Sequence, residues 1–147
     1  MGEREEARLR AIEDRLEIED LLTRYCQAID GKDWALLDTI FTPDAHVDYT
    51  SSGGVQGPYP EVRAWLAGVL PNFPTSQHLV TNKDIRIDGD RATSSAYFYN
   101  PMGRGQPDGG VKLFFVGGWY VDELVRTAAG WRISRRIERQ SWVDVRT

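Results

Sequence analysis

Apolar residues at Ile18, Leu21, Leu22, Tyr25, Cys26 and Ile29 recur with the i, i+3, i+4, i+7 spacing of one buried helical face. The pattern predicts a long helix over residues ~8–30, its first turns charged and solvated. Gly31 suits a left-handed cap at its end. Asp33 can then cap a second helix over ~34–41, with Trp34, Leu37, Ile40 and Phe41 apolar and Pro43 as its stop. A short strand is expected over His46–Thr50, followed by the turn-rich run SSGGVQGPYP. Pro60 opens a third helix with Val62, Trp65, Leu66, Val69 and Leu70 apolar, and the segment Pro71–Pro74 ends it.

Beyond residue 75 the period changes. Ser76–Ile87, Arg91–Asn100, Val111–Arg126 and Trp131–Val143 are rich in Val, Ile, Thr and aromatic residues and read as strands. Asp88-Gly89-Asp90 and Thr127–Gly130 read as hairpin turns, and residues 101–110 as a longer connection. Helices followed by an antiparallel meander give an α+β class, with three N-terminal helices on one face of a curved sheet. The strand from Val111 is apolar on both parities. One face suits the core; the other suits a second subunit.

Several polar residues fall on inward positions. Asp30 puts a carboxylate at the inner end of the first helix. In the last strand Arg135 shares parity with Trp131, Ile133 and Ile137, so it is expected inside. Asn100 shares parity with Ala92, Ala96 and Phe98, and Tyr49 with Val47. His78 differs in parity from Ile85 and Ile87, and alternation turns it outward unless a bulge intervenes.

Composition narrows the classes. A length of 147 residues suits one domain, residues 1–147, burying about two thirds of its unfolded surface. Five Trp, five Phe and six Tyr supply a substantial core. A net charge of −4 argues against a nucleic-acid partner. No apolar run approaches the length of a membrane helix, and the charged N-terminus does not resemble an export signal. The single cysteine, Cys26, forms no internal disulfide, and a cytoplasmic location is expected.

The segments IDGKDWALLDTIFTPDAHVDY, SQHLVTNKDIRIDGDRA and GGWYVDELVRTAAGWRIS resemble the SnoaL-like branch of the nuclear-transport-factor-like superfamily. That branch includes scytalone dehydratase, bile-acid 7α-dehydratase, a hexachlorocyclohexane dehydrochlorinase and small polyketide cyclases. The similarity spans roughly residues 10–143 and implies a cone-shaped α+β barrel with one deep pocket. It also implies an Asp30–His78 dyad, with His78 turned inward, and, with the doubly apolar strand, a homodimer or homotrimer. Tyr25 matches a tyrosine of the bile-acid enzyme, and Tyr49 a pocket tyrosine of scytalone dehydratase. Arg135 is the candidate for the dehydrochlorinase's C-terminal-strand arginine. The chain departs from scytalone dehydratase at Ile29, Asn100 and Val116, where that enzyme has tyrosine, histidine and asparagine.

Such a dyad serves proton abstraction. A neutral imidazole removes a proton from carbon, the aspartate fixes its tautomer, and a tyrosine or arginine stabilises the charge that develops. The expected function is therefore that of a cofactor-independent lyase or isomerase acting on a small, largely apolar or aromatic molecule, without a metal. Trp65, Phe98, Phe115 and Trp131 are expected to line or back the pocket, with Asn100 beside them. A non-catalytic binding domain and an epoxide hydrolase are the alternatives. An iron site from His46, Asp48 and His78 is a further, weaker one.

Overall fold

The computed structural model describes residues 2–146. Helix α1 spans Glu3–Gly31, and its inward positions are Asp14, Ile18, Leu21, Leu22, Tyr25, Ala28 and Ile29. It ends one residue later than predicted: Lys32, not Gly31, takes the left-handed conformation at φ 51°, and its ammonium donates to the Phe73 carbonyl at 3.1 Å. Asp33 does cap the next helix, accepting the Leu36 N–H at 2.9 Å. That helix, α2, is only Trp34–Leu37. Phe41 already begins strand β1 (Phe41–Asp48), and Pro43 lies inside this strand instead of ending a helix. The pairing of β1 is irregular between Phe41 and His46, which accommodates a residue with no N–H to donate.

Three elements escaped the sequence reading: short 3-10 turns at Thr50–Ser52 and Leu70–Asn72, and strand β2 at Gln56–Pro58. Helix α3 follows at Tyr59–Val69, with Pro60 in its first turn. Strands β3 (Thr75–Ser76), β4 (Leu79–Asp88), β5 (Arg91–Gly105), β6 (Val111–Thr127) and β7 (Gly130–Val145) complete the chain. The connection expected over 101–110 is shorter, because Pro101–Gly105 continue β5 and pair with Val111–Phe115.

The strands form one seven-stranded sheet in the order β2-β1-β7-β6-β5-β3, with β4 also on β5. β1 runs parallel to β7, and every other pair is antiparallel. The sheet does not close on itself, so the expected barrel is an open sheet with α1 packed on β4 and β7 and α3 on β1. Asp14 pins α1 to the β6–β7 hairpin. Its carboxylate accepts from Arg126 Nη1 and Nη2 at 2.6 and 2.7 Å and from Trp131 Nε1 at 3.1 Å.

Three bulges decide which side chains face inward. In β4 three steps from Thr81 to Asp84 oppose two in β5, with Asn82 at φ 50°. In β7 the pairing passes from Leu124–Ile133 to Glu123–Arg135, leaving Ser134 as the extra residue. A third bulge, at Ser141, lies opposite Gly117 and Gly118. Those glycines are required by contact: a Cβ on Gly117 would overlap the Trp142 indole, and one on Gly118 would overlap the Arg139 carbonyl.

Candidate active site

A cavity of about 300 Å³ opens between α1, α3 and the sheet. Leu66, Val69, Leu70, Met102, Phe114 and Val116 give it an apolar wall. Tyr25, Tyr49, His78, Asn100, Tyr120 and Glu138 supply the polar groups, and Trp65 closes one side.

Asp30 and His78 meet. Asp30 sits in the last turn of α1, the end of a helix that disfavours an anion. Three donors compensate it. His78 Nδ1 lies 2.6 Å from Oδ1, the Ser76 hydroxyl donates to Oδ1 at 2.9 Å, and the His78 backbone N–H donates to Oδ2 at 2.8 Å. Burial pushes the Asp30 pKa up, but the bonds from His78 and Ser76 outweigh it and leave the carboxyl below its ordinary value. With Nδ1 engaged by a carboxylate, Nε2 is the ring nitrogen left with a lone pair. His78 faces inward because it lies between β3 and β4 and because the Asn82 bulge restores Ile85 to the core.

Tyr25 and Tyr49 share a buried hydrogen bond, hydroxyl to hydroxyl, at 2.8 Å. Burial raises both phenols well above their ordinary value, so both stay neutral. Whichever hydroxyl donates to the other, the acceptor keeps its own proton for a ligand. The Tyr25 ring stands edge-on to His78, with centroids 6.5 Å apart.

Arg135 is not in the cavity. The extra residue at Ser134 shifts the phase of β7, so Arg135 is exposed and Arg136 takes the interior. Arg136 is completely buried and pairs with Asp122 through two bonds, at 2.8 and 2.7 Å. Its guanidinium lies 4.0 Å from the Tyr25 ring centroid and 4.3 Å from that of Tyr120. Arg136, Asp122 and Glu138 were therefore missed. The one available signal was the run Arg135-Arg136, where either residue could be the inner one.

The remaining expected positions divide. Trp65 and Asn100 line the cavity, and Asn100 Nδ2 donates to the Tyr120 hydroxyl at 3.2 Å. Phe98 backs it, stacked on Tyr120 at 4.6 Å. Phe115 faces the opposite side of the sheet and stacks with Tyr99, because strand alternation gives the inner face to Phe114 and Val116. Trp131 is buried, but with Asp14 at the far end of the core, and does not line the cavity. His46 is exposed in β1, and no group of three His, Cys, Asp or Glu side chains converges among the described residues.

The model of the SnoaL-like domain matches residues 10–137. The chain belongs to the SnoaL-like family. Among relatives, an uncharacterized protein of Mycobacterium tuberculosis (strain H37Rv) is 47% identical over 130 residues, covering 86% of this chain and 85% of that one. The Kfla4162 protein from Kribbella flavida superposes with a TM-score of 0.82 at 30% identity, covering 91% and 95% of the two chains. Hexachlorocyclohexane dehydrochlorinase LinA-type3 from Novosphingobium barchaimii gives 0.78 at 20% identity, covering 95% and 94%. At that identity the likeness shows the shared fold of the nuclear-transport-factor-2-like superfamily. No helix of this SnoaL-like domain is long and apolar enough to cross a membrane among the described residues.

Proposed function

We propose that this SnoaL-like domain is a cofactor-independent lyase or isomerase that removes a proton from a carbon beside a carbonyl. The observation that supports it is the Asp30–His78 contact, which holds His78 on the wall of a largely apolar cavity. His78 Nε2 is the base, and Asp30 holds the tautomer and stabilises the imidazolium that forms. The Tyr25–Tyr49 pair donates to the carbonyl oxygen as it gains charge. The buried Arg136 behind Tyr25 strengthens that donor; it takes the part expected of Arg135. A cavity of about 300 Å³ with an apolar wall suits a one- or two-ring substrate. That a structural neighbour is a dehydrochlorinase adds support for elimination chemistry.

The test is proton exchange and elimination from aromatic ketones in D2O, followed by NMR. Wild type should exchange the proton beside the carbonyl, His78→Ala should not, and EDTA should change nothing. Exchange at wild-type rate in His78→Ala would reject the base. A second reading rests on one contact: Asp30 also binds the His78 backbone and Ser76, as a purely structural tie between α1 and β3–β4 would. Saturable ligand binding with no exchange in wild type would favour that binding scaffold.

The outer face of the sheet exposes two aromatic pairs, Tyr97 with Trp119 and Tyr99 with Trp142. We propose that a second copy of the chain covers this face, and that the protein works in a reducing cytoplasm as one domain. Light scattering at micromolar concentration should give at least a dimer.

A further inference from the structure

Glu138 has no part in the scheme above, yet it is built into the same cavity. Its side chain projects from β7 directly opposite Tyr120 in β6, lines the cavity and is only 9% exposed. Its Oε1 has no hydrogen-bond partner. On the other side of Tyr120, Asn100 gives its Nδ2 proton to the tyrosine hydroxyl, and its Oδ1 is likewise buried and unpaired. A buried polar atom without a partner is costly, and two of them flank one tyrosine on the wall of an open cavity. Burial lifts the Glu138 carboxyl to about 7; the Ser52 hydroxyl and the charge of Arg136 pull it down, and Asp48 adds to the rise. Arg136 acts on it only through its charge and makes no hydrogen bond to it: Nε and Nη2 are committed to Asp122, and Nη1 is unpaired. Near neutral pH this wall therefore presents a carboxylic-acid donor and an amide acceptor. Together they match a hydroxyl group, which both accepts and donates.

We propose that Glu138 is the general acid of the pocket, donating its proton to a departing hydroxyl that Asn100 Oδ1 holds, and that the substrates are β-hydroxy carbonyl compounds. This rests on the Asp30–His78 reading of the same site. His78 Nε2 takes the proton from the carbon beside the carbonyl, and that electron pair forms the new C=C bond. The C–O bond breaks with its pair on oxygen, the oxygen takes the Glu138 proton, and water leaves. His78 ends as imidazolium against Asp30, and Glu138 as a carboxylate in the field of Arg136. A proton returned through solvent resets both, with no oxidant or reductant.

Two probes separate the roles: 4-hydroxy-4-phenylbutan-2-one, whose hydroxyl needs protonation to leave, and its acetate ester, whose acetate does not. Both give the same enone. Glu138→Gln should lower kcat/KM on the alcohol by ~10²-fold or more and on the ester by under about 3-fold. It should also remove the fall in wild-type activity on the alkaline side of about 7. His78→Ala should lose both reactions. Equal losses on both probes in Glu138→Gln, or none on either, would overturn the acid assignment. If wild type acts on neither probe, the elimination reading is what fails, and infrared spectroscopy then decides Glu138. A protonated-carboxyl band at pH 6, missing in Glu138→Gln and shifted by the alcohol but not by 4-phenylbutan-2-one, keeps Glu138 as the donor to a ligand hydroxyl. A band that is absent, or indifferent to the alcohol, overturns it.

Discussion

Asp30 and Glu138 are carboxyl groups serving one cavity, prepared in opposite senses. Asp30 is a quarter exposed and collects three hydrogen bonds, which hold it ionised below its usual range. Glu138 is more deeply buried and leaves one oxygen unpaired, so desolvation dominates and its carboxyl rises to about 7. Burial opposes ionisation at both. The number of donors decides the outcome: one carboxyl is held as a carboxylate and the other keeps its proton to near neutral pH, the states the proposed scheme asks of each.

The largest way to break this comparison is to neutralise Asp30 without changing its shape. Asp30→Asn should cut kcat by ~10²–10⁴-fold on the acetate ester, where Glu138 is not needed, while ligand affinity changes little. Steady-state kinetics checks it, and a loss under about 5-fold would make Asp30 a structural tie.

Next is the cation that both tyrosines and Glu138 share. Arg136→Met strands Asp122, a fully buried charge, and should cost ~3–5 kcal/mol in urea unfolding. The double variant Arg136→Met/Asp122→Leu should recover most of that loss. No recovery would mean that the guanidinium's packing on Tyr25 and Tyr120 matters more than its charge.

Glu138 itself gives a stability signature that needs no substrate. Its folded-state pKa is raised from 4.5 to about 7, so the folded chain holds a proton that the unfolded chain releases. The resulting stabilisation is complete below 4.5 and is lost as the pH rises through 7. Across that window wild type should lose up to about 10 °C of Tm relative to Glu138→Gln. Parallel melting curves for the two proteins would place the carboxyl at an ordinary pKa. The smallest effect is expected for Tyr49→Phe, which deletes one buried hydroxyl bond: ~0.5–1.5 kcal/mol of stability and roughly 10-fold in kcat.

The sequence made the scaffold legible and the interior chemistry only partly so. The α1 stripe, the Asp33 cap, Pro60 in α3 and the two tight hairpins follow from local rules, and local rules sufficed. Asn100 could be placed because β5 alternates without interruption from Ala92. His78 could not be placed by alternation, since its orientation depends on a strand break and the Asn82 bulge. Arg135 was read as inward because a period of two was carried through Ser134, where the strand gains a residue. The inward side chains between that point and the Ser141 bulge, Arg136 and Glu138 among them, consequently fell on the wrong side. Bulges are set by the partner strand, and one strand's own pattern does not display them. Phe115 failed differently: with apolar residues on both parities, nothing in β6 says which row is inside.

The extra residue at Ser134 also bears on how kindred chains should be matched to this one. A relative lacking that residue would keep an unbulged ladder here, and its inner arginine would stand two positions, not three, after the residue matching Ile133. Matching such chains without a gap would pair its buried guanidinium with the exposed Arg135. Counting back from Glu138, on the far side of the insertion, keeps the two interiors in step.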